Sequence, residues 1–261
     1  MGAEPFARSI SIDYSDDELD AISEAFTRRD IARRERAGDA HDPIRRAQNQ
    51  TALRGLVARR AIMLGGTPAR PRMTFLEPHA TLLGAFLGAN SIATIRREQS
   101  TTVRAVSLFV HGDVVVEQAA REGLAIQRMT AHGRDNAAHL LDRELLLPGP
   151  GERPPHEELE LTKRTMTLTI AAIEQGSEMP ERVPARAADI LYARMASGSV
   201  TITTRDVSGT RSSEKWSWID AGELGLWRVQ TDADSPVVRL IAAAPADLAG
   251  EIDVAWRQAT R

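Results

Sequence analysis

Polar and apolar residues alternate from Ser9 to Tyr14, with Ile10, Ile12 and Tyr14 on one side, and this period of two predicts a short strand. Ser15 follows, with Glu18 three residues on. That spacing is a capping box, and Asp16, Asp17 and Glu18 suit the positive end of a helix dipole. The helix they open carries Leu19, Ile22 and Phe26 on one stripe. Asp42-Pro43 has the form of an N-cap and first helical residue. The apolar side of this second helix includes Leu53, Leu56, Val57, Met63 and Leu64, and Gly65-Gly66-Thr67-Pro68 ends it. A third helix is expected from Pro78 to about Leu87. From Ser91 the texture changes to Val- and Ile-rich runs divided by turn residues such as His111-Gly112-Asp113. Strands are expected at Ile92–Arg97, Val103–Val110, Val114–Gln118 and Leu124–Met129. Asp135 then caps a helix through Leu146.

The plan recurs in the second half. Helices are expected from His156 to Gln175 and from Ala185 to Ala196. In this reading Glu157, Glu158 and Glu160 serve the dipole of the first of these helices. Strands follow at Ser199–Arg205, Glu214–Ile219, Leu226–Gln230 and Val237–Ala242. Pro245-Ala246-Asp247 opens a last helix ending near Trp256. Gly88 is matched by Gly198 and Gly112 by Gly222, each 110 residues later, and Asp135 by Asp247, 112 residues later. Pro148-Gly149-Pro150-Gly151 with Pro154-Pro155 reads as a linker. The expected fold is therefore α+β: a central antiparallel sheet shared by two pseudo-equivalent halves, residues 1–147 and 156–261, joined by 148–155.

Composition narrows the function classes. The 261 residues carry 33 Lys plus Arg and 36 Asp plus Glu, a net charge of −3, with 42% hydrophobic residues. A disordered chain and a polybasic nucleic-acid binder are excluded. There is no cysteine, which removes thiol catalysis, thiolate metal sites and disulfides. Met1–Tyr14 has no apolar core of signal-peptide length, and the longest uncharged stretch, Pro78–Ile95, is interrupted by Pro78, His79, Gly84, Gly88 and Asn90. A cytoplasmic protein without membrane insertion is expected.

Candidate chemistry is sparse. No G-x-S-x-G, P-loop or strand-linked G-x-G-x-x-G occurs. Of the six histidines only His132 and His139 lie close together, with Asp135 and Asp142, but a spacing of seven is not a ligand pattern and Asp135 has a capping role. No catalytic, cofactor or metal site is assigned. Arg28 to Arg72 contains twelve arginines and four acids. Without an aromatic residue between Phe26 and Phe75 it offers no stacking platform, and it is read as a solvated face pairing with acidic helices. Trp216 and Trp218 share one face of a strand and are read as core anchors of the second half.

Several segments together resemble the EspG family of chaperones from ESX (type VII) secretion systems. Ser11-Ile12-Asp13-Tyr14-Ser15-Asp16-Asp17-Glu18-Leu19-Asp20-Ala21 is similar to the family's strand-then-helix opening. Ala52-Leu53-Arg54-Gly55-Leu56-Val57 is similar to its L-x-x-R-G-L helix end. Arg205–Arg211 leading to Trp216-Ser217-Trp218-Ile219-Asp220 resembles its hairpin and W-x-D strand, and Pro245–Leu248 its closing helix. Gly225-Leu226-Trp227 departs from the family's frequent Gly-Arg-Tyr. The resemblance implies a cytoplasmic, non-enzymatic chaperone without cofactor. Such a chaperone holds PE–PPE-like heterodimers for export and is a monomer or dimer when free. Client contacts are implied for the loops Gln99–Thr102 and Ser208–Ser213, that is Gln99, Ser100, Thr101, Thr102, Arg211, Ser212 and the adjoining Glu214, with no nucleic acid. Two other classes stay open: an enzyme whose site is assembled from scattered residues, and an Arg-mediated binder of nucleic acid, acidic lipid or another acidic partner.

Overall fold

The computed structural model describes residues 9–31, 43–67, 70–121, 123–148, 156–206, 208–232 and 234–261. The linker expected at 148–155 lies outside these apart from Pro148, as do Asp42 and Pro68. The chain runs β1 (Ile10–Ser15), α1 (Asp16–Ile31), α2 (Pro43–Ala58), β2 (Ile62–Thr67), β3 (Arg70–Phe75), α3 (His79–Gly88), β4 (Ser91–Gln99), β5 (Thr102–His111), β6 (Val114–Ala120), β7 (Ile126–Gly133) and α4 (Ala137–Leu145). It continues with β8 (Glu158–Thr162), α5 (Lys163–Gln175), α6 (Ala185–Tyr192), β9 (Ala196–Arg205), β10 (Arg211–Asp220), β11 (Leu226–Thr231), β12 (Val237–Ala243) and α7 (Pro245–Ala259).

Ten strands form one antiparallel sheet in the order β1-β7-β6-β5-β4-β9-β10-β11-β12-β8, and β2–β3 is a separate hairpin. The order states the repeat. Each half builds a four-strand meander and lays its own first strand antiparallel on its last. Ile12 of β1 faces Met129 of β7, and Leu161 of β8 faces Val238 of β12. The α+β class and the doubled plan expected from the sequence are observed.

Three local expectations are corrected. Glu158–Thr162 is the strand β8, not the start of a helix. Leu159 and Leu161 alternate with Glu158 and Glu160, and Leu161 is buried. The acids lie on the solvent side of a strand whose neighbour supplies Arg239, 3.2 Å from Glu160. The helix starts at Lys163, capped by Thr162, whose hydroxyl accepts from the Thr165 N–H at 2.9 Å. Met63 and Leu64 do not extend α2. The chain leaves the helix at Arg60, which adopts φ +58°, and Ile62–Thr67 pairs with Arg70–Phe75. Gly88 and Gly198 are not equivalent: Gly88 ends α3, whereas Gly198 lies inside β9 opposite Trp218. Gly112 and Gly222 do correspond, both in left-handed turns (φ +56° and +58°) between the second and third strands of their meanders. Asp135 falls in a 3₁₀ turn, Arg134–Asn136, one step before α4.

Two compact units divide the chain, one of residues 1–91 and 107–137, the other of 92–106 and 138–261. In the first, the capping box forms both reciprocal bonds: Ser15 N–H to Glu18 at 3.0 Å and Glu18 N–H to the Ser15 hydroxyl at 3.1 Å. Tyr14, Ile22, Leu82, Leu83 and Met129 are fully buried, and Phe86 of α3 meets Phe109 edge-on at 5.3 Å. The Tyr14 hydroxyl lies 2.7 Å from His79 Nδ1. Burial, with the Arg59 guanidinium adding to it, holds His79 below its usual range. In the second unit, Ala187, Ile190 and Leu191 of α6 pack with Ile219, Trp227, Val238 and Leu240. The Trp227 indole N–H donates to the Leu224 carbonyl at 2.8 Å. On α7, Leu248, Ile252 and Trp256 recur every four residues as one buried stripe, and the helix packs on β9.

Candidate partner-binding face

The β9–β10 ladder of the second unit pairs Arg205 with Arg211, Thr203 with Ser213, Thr201 with Lys215 and Ser199 with Ser217. The intervening pairs are Thr204 with Ser212, Ile202 with Glu214, Val200 with Trp216 and Gly198 with Trp218. Directly opposed residues share a face, and successive residues switch faces. One face therefore carries Val200, Ile202, Trp216 and Trp218, all 6% exposed or less. Arg228 on β11 faces the same way, being opposite Trp218, and reaches Glu251 of α7 at 2.8 Å, so this is the side under α7. The expectation that Trp216 and Trp218 anchor the core is met here. A Cβ placed on Gly198 would lie 2.3 Å from the Trp218 ring, so glycine is what lets the indole lie flat across the strand.

On the other face Ile219, opposite Ser197, is buried against α6, and beyond that pair the face holds Ser199, Thr201, Thr203, Arg205, Arg211, Ser213, Lys215 and Ser217, none of them buried. Three cations and five hydroxyls occupy this open stretch, and no carboxylate of β9 or β10 does. Thr203 and Ser213 hydrogen-bond through their hydroxyls at 2.9 Å. Arg205 and Arg211 stand directly opposite each other, and neither makes an ion pair with a described residue. Like charges in that position oppose strand pairing. The first half of β5 offers a matching feature: Val103 is 56% exposed and Ala105 is also exposed, while Val106 is 2% exposed.

The hairpin tips differ in construction. Ser100 and Thr101 form a tight connection between β4 and β5, with Ser100 at φ +53°. Gln99 and Thr102 are the exposed strand ends that flank it. The β9–β10 tip is braced by Asp206, whose carboxylate accepts from the Ser208 N–H and the Thr210 N–H, each at 2.8 Å, and from the Ser208 hydroxyl at 2.6 Å. These bonds, the Ser208 hydroxyl foremost, hold Asp206 below the usual carboxylate range. β4 and β9 are neighbours in an antiparallel sheet, so their hairpins point to opposite ends of the strands.

The structure thus distributes the sequence-expected residues. Gln99, Ser100, Thr101 and Thr102 form one tip. Arg211 lies at the other, on the open face with Arg205 and Lys215. Ser212 lies on the α7 side, bonded to Thr204 at 2.6 Å. Glu214 is on that side too, lining a groove of about 660 Å³ with Trp216, Arg228, Gly250, Glu251 and Val254. Thr201, Thr203, Arg205 and Lys215 were not anticipated. Strand alternation alone would have grouped Lys215 with Arg211, but the opposition of Arg205 depends on the register. On the same side of β5 as Val106, Arg104 makes two bonds to Glu144 of α4, at 3.0 and 3.1 Å, neutralising a carboxylate that is 2% exposed. His132 lies on β7, 3.4 Å from Glu117, and His139 lies on α4 near Asp142. Among the described residues no group of three His, Asp or Glu could hold a metal ion, and no helix is long and apolar enough to cross a membrane.

No family model matches the sequence, and none of the curated proteins compared with it matches. The chain is similar in structure to the Mycobacterium tuberculosis type VII secretion system chaperone EspG5, solved in complex with a PE25–PPE41 dimer. Sequence identity is 12%, with 96% of this chain and 95% of that chain covered, and the TM-score is 0.45. At that identity and score the likeness does not bear on what this chain binds.

Proposed function

We propose that the protein is a non-enzymatic secretion chaperone that holds a helical, PE–PPE-like heterodimer on the open face of β9 and β10. The observation that carries this reading is the composition of that face. Its reverse is packed with two tryptophans, whereas the face itself is packed only at its Ile219 end, under α6, and toward the hairpin tip presents Arg205, Arg211 and Lys215 among five hydroxyls, none of them buried. A surface kept cationic against its own folding preference suits a partner that brings carboxylates. The ordered sequence resemblance to the EspG family, from the Ser15–Glu18 opening to the closing helix at Pro245, supports the choice of client. The two halves, 1–147 and 156–261, act in this reading as one EspG-like domain working in the cytoplasm.

Co-expression with helical secretion substrates from the same locus, followed by affinity capture, tests it. A one-to-one complex with the heterodimer is expected, and an interface of standard size would bury about 1,600 Å². Arg211→Glu together with Lys215→Glu should abolish capture while leaving a cooperative melting transition. Capture unaffected by that double reversal would remove the open face from the interface, and turnover of a small molecule would refute the chaperone reading.

A further inference from the structure

The first repeat contains a segment with no counterpart in the second: α2 and the β2–β3 hairpin. From Pro43 to Leu76 the sequence has seven arginines and no aspartate or glutamate. Arg59 folds back onto its own unit, 3.1 Å from Glu18 and 5.1 Å from the Tyr14 ring centre. Arg54, Arg60 and Arg72 behave differently. All three are exposed, and none makes an ion pair with a described residue.

The same segment exposes aliphatic side chains. Between Thr51 and Arg60 only Leu56 is buried, and Val57 is 39% exposed. Every residue from Met63 to Thr67 is exposed, with Met63 at 55% and Leu64 at 57%. Met63 lies opposite Thr74 and Gly65 opposite Arg72, so Met63 and Arg72 share one face of the hairpin. Leu64 lies on the other face, opposite Met73. The hairpin thus exposes apolar side chains on both faces, beside arginines that make no ion pair with a described residue.

We propose that the end of α2 and the β2–β3 hairpin dock the protein on the anionic surface of a phospholipid bilayer. Arg54, Arg60 and Arg72 would lie among lipid phosphates, while Met63 and Leu64 enter the headgroup boundary. The geometry favours a bilayer over other anionic partners. Single-stranded nucleic acid needs aromatic platforms, and none occurs between Phe26 and Phe75. An acidic peptide needs a cradle, and the groove of about 720 Å³ in this unit, between α1 and α2, includes Asp17 and Glu18 in its lining and so repels one. Exposed aliphatic side chains beside exposed arginines fit a broad, fluid, negatively charged surface. This inference does not depend on the proposed function, since it uses neither β9 nor β10.

Vesicle co-sedimentation of the full chain tests it, with phosphatidylglycerol mixed into phosphatidylcholine and with phosphatidylcholine alone. Binding is expected to the mixed vesicles only, and to weaken as salt rises. Replacing Arg54, Arg60 or Arg72 by Ala should lower the partition coefficient about fivefold each, the factor expected for one basic residue at an anionic surface. Met63→Ser with Leu64→Ser should lower it further without changing the melting temperature, because both residues are already exposed. Equal binding to neutral vesicles, no binding to either, or binding indifferent to these variants overturns the proposal. So does tight association with duplex DNA at physiological salt without vesicle binding.

Discussion

The two faces of the β9–β10 pair are built from the same twenty residues, yet they obey opposite rules. On the α7 side, size is regulated to the atom. Trp218 lies across Gly198, Val200 is fully buried, and Arg228 beside them is matched to Glu251. On the open side, beyond the Ile219 end that α6 covers, side chains are short or charged, and two arginines face one another without a carboxylate between them. A strand pair optimised only for stability would place an acid at one of those positions. Folding is thus secured along the whole α7 side but only at the Ile219 end of the other, leaving the stretch toward the tip free to be shaped by something outside the chain.

Three perturbations bear on this contrast, in descending size. Trp218→Ala should have the largest effect, a loss of about 3–5 kcal/mol in urea unfolding, as for other buried aromatic truncations. A loss below about 1 kcal/mol would mean that the α7 side is not the supporting face. Gly198→Ala should cost about 1–3 kcal/mol through overpacking against the indole, and combining it with Trp218→Ala should cost less than the sum of the two, which a double-mutant cycle measures. Arg211→Glu should be the smallest and of opposite sign. It replaces a repulsion with Arg205 by a cross-strand attraction and should add about 0.2–1 kcal/mol, while weakening client capture. A variant that both stabilises the chain and loses its partner would separate the two faces cleanly; one that destabilises it would show that the Arg205–Arg211 opposition is already relieved.

The same contrast marks what could be read before the fold was known. Trp216 and Trp218 were assignable because alternation on a strand needs no partner, and the Ser15–Glu18 box announced α1 because both halves of that motif are local. β8 was missed although Glu158–Thr162 alternates as plainly as Ile10–Ser15. Glu157, Glu158 and Glu160 satisfied a helix dipole equally well, and its true cap, Thr162, bonds to Thr165 without a glutamate to signal it. The β2–β3 hairpin was missed because Met63 and Leu64 continue the helical stripe of Leu56. What stops α2 is a left-handed Arg60, a conformation that arginine does not advertise. The placement of Arg211 against Arg205, and of Glu214 on the reverse side, depends on pairing register, which is fixed by how the Asp206–Thr210 tip closes rather than by either strand.

The pairing of first strand with last in each repeat also sets a clock during synthesis. Leu161 of β8 cannot find Val238 until some seventy-seven further residues have been made. At about 5–20 residues per second this is an interval of roughly 4–15 s in which a strand awaits its neighbour. Glu158 and Glu160 are the side chains that a waiting β8 displays, and a strand edge dressed in like charges is slow to recruit another copy of itself. The acids that obscured β8 in the sequence are thus well placed to keep nascent chains apart on a crowded polysome until Arg239 emerges to neutralise them.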